Sequence, residues 1–144
     1  MRFRVPEEPF EFQIADVDWA FAGMDQFRPA TQFFSYPRGL QLPEADIRVV
    51  PLPEIEPCAP RFARTEPLAR ERIVPILLAF RCQEGVLPPV QVEALKDSRY
   101  QFRLVNGFHR YCASIAAGFT EIPVVTHPLA WRRAWSASVE TASR

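Results

Sequence analysis

Asn106-Gly107-Phe108-His109-Arg110 brings together the side chains and backbone best suited to chemistry in this chain. The run sits where the period of the sequence changes. Before it, Tyr100, Phe102 and Leu104 alternate with polar or smaller residues as on a strand; after it, Tyr111, Cys112, Ile115, Ala116 and Phe119 recur at helical spacing. A strand, a tight turn and a helix N-terminus therefore follow one another. A helix opening presents backbone N–H groups without partners and the positive end of the helix dipole, and Gly107 lets backbone approach closely. Such a device takes an anion. Arg110 would add a two-pronged donor for phosphate oxygens and His109 a further donor, while Phe108 would shape an apolar wall. Asn106 can donate and accept hydrogen bonds but cannot serve as a general base, so phosphate recognition suits the group better than carboxylate catalysis. The same residues also fit a plain turn, with His109 capping its own helix and Arg110 solvated, and local chemistry leaves both readings open.

The elements that must position this turn are legible to different degrees. Leu87 to Leu95 reads as a strand with prolines at its entry, and Lys96-Asp97-Ser98-Arg99 as the polar turn of an antiparallel hairpin whose second strand is Tyr100 to Val105. The helix covers His109 to Ala117, with Gly118 in the C-terminal cap position, and a strand Ile122-Pro123-Val124-Val125 follows. Upstream, Ile47 to Leu52 is a β-branched strand, leading to a Pro-rich connection through Pro57 and Pro60. Thr65-Glu66-Pro67 has the form of a helix start, with Thr65 as cap, opening the apolar set Leu68, Ile73, Ile76, Leu77 and Phe80; Gly85 closes it, and Pro75 predicts a bend or two short pieces. In the first 45 residues Phe10, Phe12 and Ile14 alternate as a short strand, Val17 to Phe27 allows a helical turn or two, and Phe33-Phe34-Ser35-Tyr36 falls on irregular backbone. These aromatics are expected to complete a core or cover a sheet edge, with a partner surface as the alternative.

The 144 residues carry 17 basic and 17 acidic side chains and are 48% hydrophobic, which fits one domain with a sizeable core and excludes disorder. Zero net charge argues against a generic nucleic-acid coat and leaves room only for a local basic patch. No apolar run approaches a membrane span and the N-terminus lacks a signal-peptide pattern, so a cytoplasmic protein without a membrane partner is expected. Three cysteines, Cys58, Cys82 and Cys112, with no close pair, and only two histidines suggest neither disulfides nor a protein-held metal. His127 reads as a loop histidine. Trp131-Arg132-Arg133-Ala134-Trp135 reads as a tail packed on the core through Trp131 and Trp135, or as an aromatic and basic contact to nucleic acid.

Leu87 to Val92, Tyr100 to Ala113 and Glu121-Ile122-Pro123-Val124 together resemble the ParB N-terminal domain and sulfiredoxin superfamily, over roughly residues 47 to 126. The resemblance implies an α+β fold with a small mixed sheet and helices, with residues 46–127 as the domain, 1–45 as an aromatic extension packed on it and 128–144 as a tail. In that superfamily the Gly-x-His-Arg turn binds nucleotide phosphates, ATP in sulfiredoxin-like members and CTP in ParB proteins. It therefore implies phosphate-binding roles for Gly107, His109 and Arg110, with Phe108 and Asn106 beside them and Arg72 as a second positive charge. Sulfiredoxins also place a lysine, a serine and a threonine on the preceding helix; an ungapped count from Pro88 puts Arg72, Pro75 and Ala79 there, so only the basic residue survives. Phe108 stands where sulfiredoxins carry their nucleophilic cysteine, so repair of sulfinylated cysteine is not expected, and Cys112 is expected to pack as a small buried residue. Some superfamily kinases and hydrolases carry an acid where Asn106 stands; Glu66, Glu71, Glu84 and Asp97 are the nearby carboxylates, and read first as surface charges.

The expected function is binding of a nucleoside triphosphate, ATP or CTP, with Mg²⁺ on its phosphates, and hydrolysis or phosphate transfer through charge stabilisation. A rival is a DNA-linked module of the nuclease or plasmid fertility-inhibition type, weakened because only about 17 residues follow His127 where a partition protein adds a helix-turn-helix domain. A third is a non-enzymatic interaction or inhibitor protein, favoured by the lost hydroxyl and cysteine positions. Convergence of Arg61, Arg64, Arg70, Arg72, Arg103 and Arg110 on one face separates DNA from protein partners.

Overall fold

Alternation in the middle of the chain closes an antiparallel hairpin in which β5 (Val90–Ala94) pairs with β6 (Phe102–Asn106), with a register shift between Gln91 and Val92. The computed structural model describes residues 1–37 and 47–126; His127, the Trp131 to Trp135 stretch and the 128–144 tail lie outside the described residues. Around the hairpin a mixed five-stranded sheet forms in the order β3-β7-β5-β6-β4. Here β3 is Ile47–Pro51, β4 Ile55–Glu56 and β7 Glu121–Val125. β7 pairs antiparallel with β3 and parallel with β5, and β4 pairs parallel with β6. Pro123 is tolerated within β7 because the β5 ladder begins only at Val124, so no bond on that side needs its missing N–H.

Of two helices, α2 (Arg70–Arg81) and α3 (Phe108–Ala117), α3 packs on β5 and β7 of the sheet and α2 packs on α3. Ile73 and Leu77 of α2, Tyr111, Cys112 and Ala113 of α3, and Val90, Val92, Ile122 and Val124 of the sheet are buried in one core. The residues before the sheet join it: β1 (Arg2–Arg4) and β2 (Glu11–Gln13) form a hairpin, α1 (Asp16–Phe21) follows, and Val5, Phe12, Ile14 and Trp19 are buried in the same cluster. Glu8, in the β1–β2 turn, is buried, and its carboxylate accepts from Arg99 Nη2 at 2.9 Å and from the Tyr100 hydroxyl. That ties the hairpin to the β5–β6 turn.

Several sequence expectations shift. α2 starts at Arg70 with Ala69 before it and no side-chain cap, so Thr65 is not the cap. Residues 64–69 instead lie outside any helix and are tied to β2, where the Thr65 carbonyl accepts from Gln13 Nε2 and the Leu68 N–H donates to the Gln13 carbonyl, both at 2.8 Å. Tertiary bonds to β2 outcompete the local helix signal. Pro75 neither splits nor restarts α2: it lies on the exposed side, and the bond it removes is one against the opposing burial of Ile73 and Leu77. The helix ends at Arg81 rather than Gly85, which sits in the turn that follows. β5 begins at Val90 because Leu87 bonds to Ser35 and stays outside the sheet, and the two-residue β4 arises inside the Pro-rich connection. No helix among the described residues is long and apolar enough to cross a membrane.

Candidate functional site

β6 delivers the chain to Gly107, whose φ of 111° and ψ of 28° turn it directly into α3. Only glycine fits. A Cβ there would lie 2.7 Å from Val90 Cγ1, on the neighbouring strand, and the positive φ would strain any L side chain. α3 has no side-chain cap, so His109 does not cap its own helix, and the first bond of the helix runs from the Tyr111 N–H to the Gly107 carbonyl at 2.9 Å. The N–H groups of Phe108, His109 and Arg110 precede that bond and have no acceptor within the helix.

This opening faces a cavity of about 610 Å³. All six residues singled out in sequence, Arg72, Asn106, Gly107, Phe108, His109 and Arg110, line it. Arg61 and Arg64, from the Pro-rich connection, line it too, and so do Glu11, Glu66 and Glu71. Arg61, Arg64 and Arg72 are exposed and have no ion-pair partner among the described residues. Other arginines are spoken for: Arg70 holds Asp18 at 2.7 Å, and Arg103 holds Glu56 at 3.1 Å and Glu93 at 3.0 Å. Of the six arginines proposed to discriminate between partners, four therefore meet at one concavity while Arg70 and Arg103 serve elsewhere.

Arg110 departs from its solvated alternative. Its Nη1 donates to the carbonyls of Pro88 at 2.6 Å and Pro89 at 3.0 Å, clamping α3 to the entry of β5. Burial lowers its pKa to about 10, which leaves it cationic at neutral pH. His109 is half-buried, and burial first, then the fields of Arg61 and Arg72, hold its pKa below the usual value against the opposing pull of Glu71. That direction favours the neutral imidazole at pH 7. Phe108 is buried; the Arg61 guanidinium lies 4.3 Å from its ring centroid, and Phe62 meets it edge-on at 5.1 Å. Cys112 is fully buried, with its thiol pushed up by burial. Glu66 and Glu71 share the cavity, whereas Glu84 and Asp97 do not. Sequence reasoning missed Glu11, which reaches the site from β2, since nothing local links residue 11 to residue 107.

A mixed five-stranded sheet with two helices, and a strand-glycine-helix turn opening onto a cavity, define an α+β domain. The chain belongs to the ParB N-terminal domain family, whose model matches residues 38–141. Among solved structures, a sulfiredoxin from Arabidopsis thaliana superposes with a TM-score of 0.44 at 23% identity, covering 55% of this chain and 81% of that one. A C-terminally truncated chromosome-partitioning protein ParB from Caulobacter crescentus, complexed with CTP-gamma-S, gives 0.42 at 19% identity, covering 66% of this chain and 53% of that one. None of the curated proteins matches the chain.

Proposed function

We propose that this cavity binds the phosphates of a nucleoside triphosphate, ATP or CTP. One observation carries the reading: Arg61, Arg64 and Arg72, none of them paired among the described residues, line the same cavity as the uncapped N-terminus of α3 and His109. Unpaired guanidinium groups beside free backbone donors recognise phosphate better than any neutral ligand. Gly107 gives the close approach, Asn106 and Phe108 border it, and Arg110 acts from behind by holding the turn against β5. The charge lies in a concavity that also holds three carboxylates, which suits a small ligand better than a DNA duplex. Mg²⁺ would enter on the phosphates and neutralise their charge; no cluster of three or more His, Cys, Asp or Glu suited to holding a metal by itself occurs among the described residues. Glu66 and Glu71 line the same cavity; in this reading they would orient a water for hydrolysis, with the arginines stabilising the transferring group.

Calorimetric titration with ATP, CTP, GTP and ADP, with and without Mg²⁺, tests this. Saturable binding is expected, about ten- to hundredfold weaker in Arg72→Ala, as for loss of a charged hydrogen-bonding group. Release of inorganic phosphate reads turnover. A folded wild type that binds none of the four overturns the proposal.

A further inference from the structure

Residues 1–37 precede the segment matched by the family model, yet they build one wall of the cavity. β2 contributes Glu11 and Phe12 directly. Its more telling role is to hold the 57–69 arm that carries Arg61 and Arg64. Two bonds fix the far end of that arm to a single residue, Gln13: its carbonyl accepts from the Leu68 N–H and its Nε2 donates to the Thr65 carbonyl, each at 2.8 Å. Rings fix the near end. Phe10 stacks on Phe62 with centroids 5.4 Å apart, Phe62 meets Phe108 at 5.1 Å, and Arg61 lies over the other partner of that contact at 4.3 Å. Arg64 lies between these two anchors, and Arg61 lies just before the first, on the short 3-10 helix Ala59–Ala63; both are exposed and without ion-pair partners among the described residues. An arm of this kind keeps two cations aimed at one cavity only while something outside it is docked.

We infer that the N-terminal hairpin is a working part of the phosphate site: Gln13 is the positioning residue for the Arg61 and Arg64 arm, and ligand binding and hairpin docking reinforce each other. The inference rests on the phosphate reading above and adds to it the element that regulates the site. Linkage makes the coupling reciprocal. Whatever loosens the hairpin weakens the ligand, and the ligand tightens the hairpin.

The test uses the full chain with inorganic pyrophosphate and the magnesium nucleotides as probes. Gln13→Ala keeps the backbone acceptor and removes only the Nε2 donor, so affinity is expected to fall about three- to tenfold. Arg64→Ala is expected to cost less in the Gln13→Ala background than in the wild type, a non-additivity that a simple loss of stability would not produce. Independently of any substitution, pyrophosphate is expected to slow hydrogen exchange at the Leu68 amide, which bonds to Gln13, and not at the Leu87 amide, which bonds to Ser35 away from the cavity. This second readout decides the matter if Gln13→Ala does not fold. If the wild type binds and Arg72→Ala weakens it, while Gln13→Ala binds like the wild type or adds independently to Arg64→Ala, the inference falls and the phosphate site stands. If the wild type binds none of these probes, both fall together.

Discussion

Replacing Gly107 by alanine puts the whole account of the turn to one measurement. Two costs arise at once. The backbone sits at φ 111°, beyond the left-handed basin that a non-glycine residue tolerates, which costs about 1–3 kcal/mol. The added methyl lands 2.7 Å from Val90 Cγ1 and 2.9 Å from its Cβ, well inside ordinary carbon contact. Val90 cannot step aside: it is fully buried, on a strand paired with β6 on one side and β7 on the other. Overpacking of this kind costs a further ~1–3 kcal/mol. The expected loss is thus roughly 2–6 kcal/mol, a large part of the stability of a domain this size. Urea unfolding followed by circular dichroism reads it as a fall in midpoint at unchanged slope. Adding Val90→Ala removes the nearest of the clashing atoms, so the double variant is expected to lose about 1 kcal/mol less than the sum of the singles. A Gly107→Ala protein within about 0.5 kcal/mol of the wild type would refute the placement of this turn against β5 and, with it, the close approach of an anion to α3.

Three further expectations follow from the burial of single side chains. The His109 pKa is depressed in the fold, so the unfolded chain binds the extra proton more readily; stability is expected to rise with pH up to about 6.5 and to be lost as pH falls below it, a dependence that His109→Gln removes. A bound phosphate reverses the field on His109, so wild-type binding is expected to take up a proton and to strengthen between pH 7 and 6 relative to His109→Gln, measured by calorimetry in buffers of different ionisation enthalpy. Thiol titration of the native protein is expected to modify the exposed Cys82 first, then the half-buried Cys58, and Cys112 only on unfolding; modification of Cys112 in the native state would contradict its burial in the core.

What the sequence disclosed and what it hid divide along the range of the interactions. The β5–β6 hairpin, the Gly107 turn and α3 with its Gly118 cap are written in local pattern, and the structure realises them within one to three residues, the largest shift being the start of β5 at Val90 rather than Leu87. The start of α2 was misplaced because Thr65-Glu66-Pro67 carries a good local helix signal, yet those backbone groups find partners on Gln13, more than fifty residues upstream. Of the outcomes expected at Pro75, two short pieces do not form for the same reason, since burial of Ile73 and Leu77 outweighs one missing bond. At the site, the resemblance carried Gly107, His109, Arg110 and Arg72 to one cavity, whereas the partners of Arg110 were hidden. Nothing in the spelling of residue 110 says that its guanidinium is held by two proline carbonyls. Arg61 and Arg64 were visible as basic residues, but only tertiary structure separates them from Arg70 and Arg103.

The sheet order has a consequence for how the chain is made. β7 lies next to the edge of the sheet in space but is the last in sequence of the described strands, and it joins β3, from the first half of the chain, to β5. While a ribosome adds the residues from 90 to 125, about 2–7 s at ordinary rates of synthesis, β3 has no neighbour in the sheet and one edge of β5 is bare. Both present β-branched, apolar residues to whatever passes. A nascent chain that stalls or is cut before Glu121 would keep those edges unpaired, so loss of this short strand would first be felt in quality control.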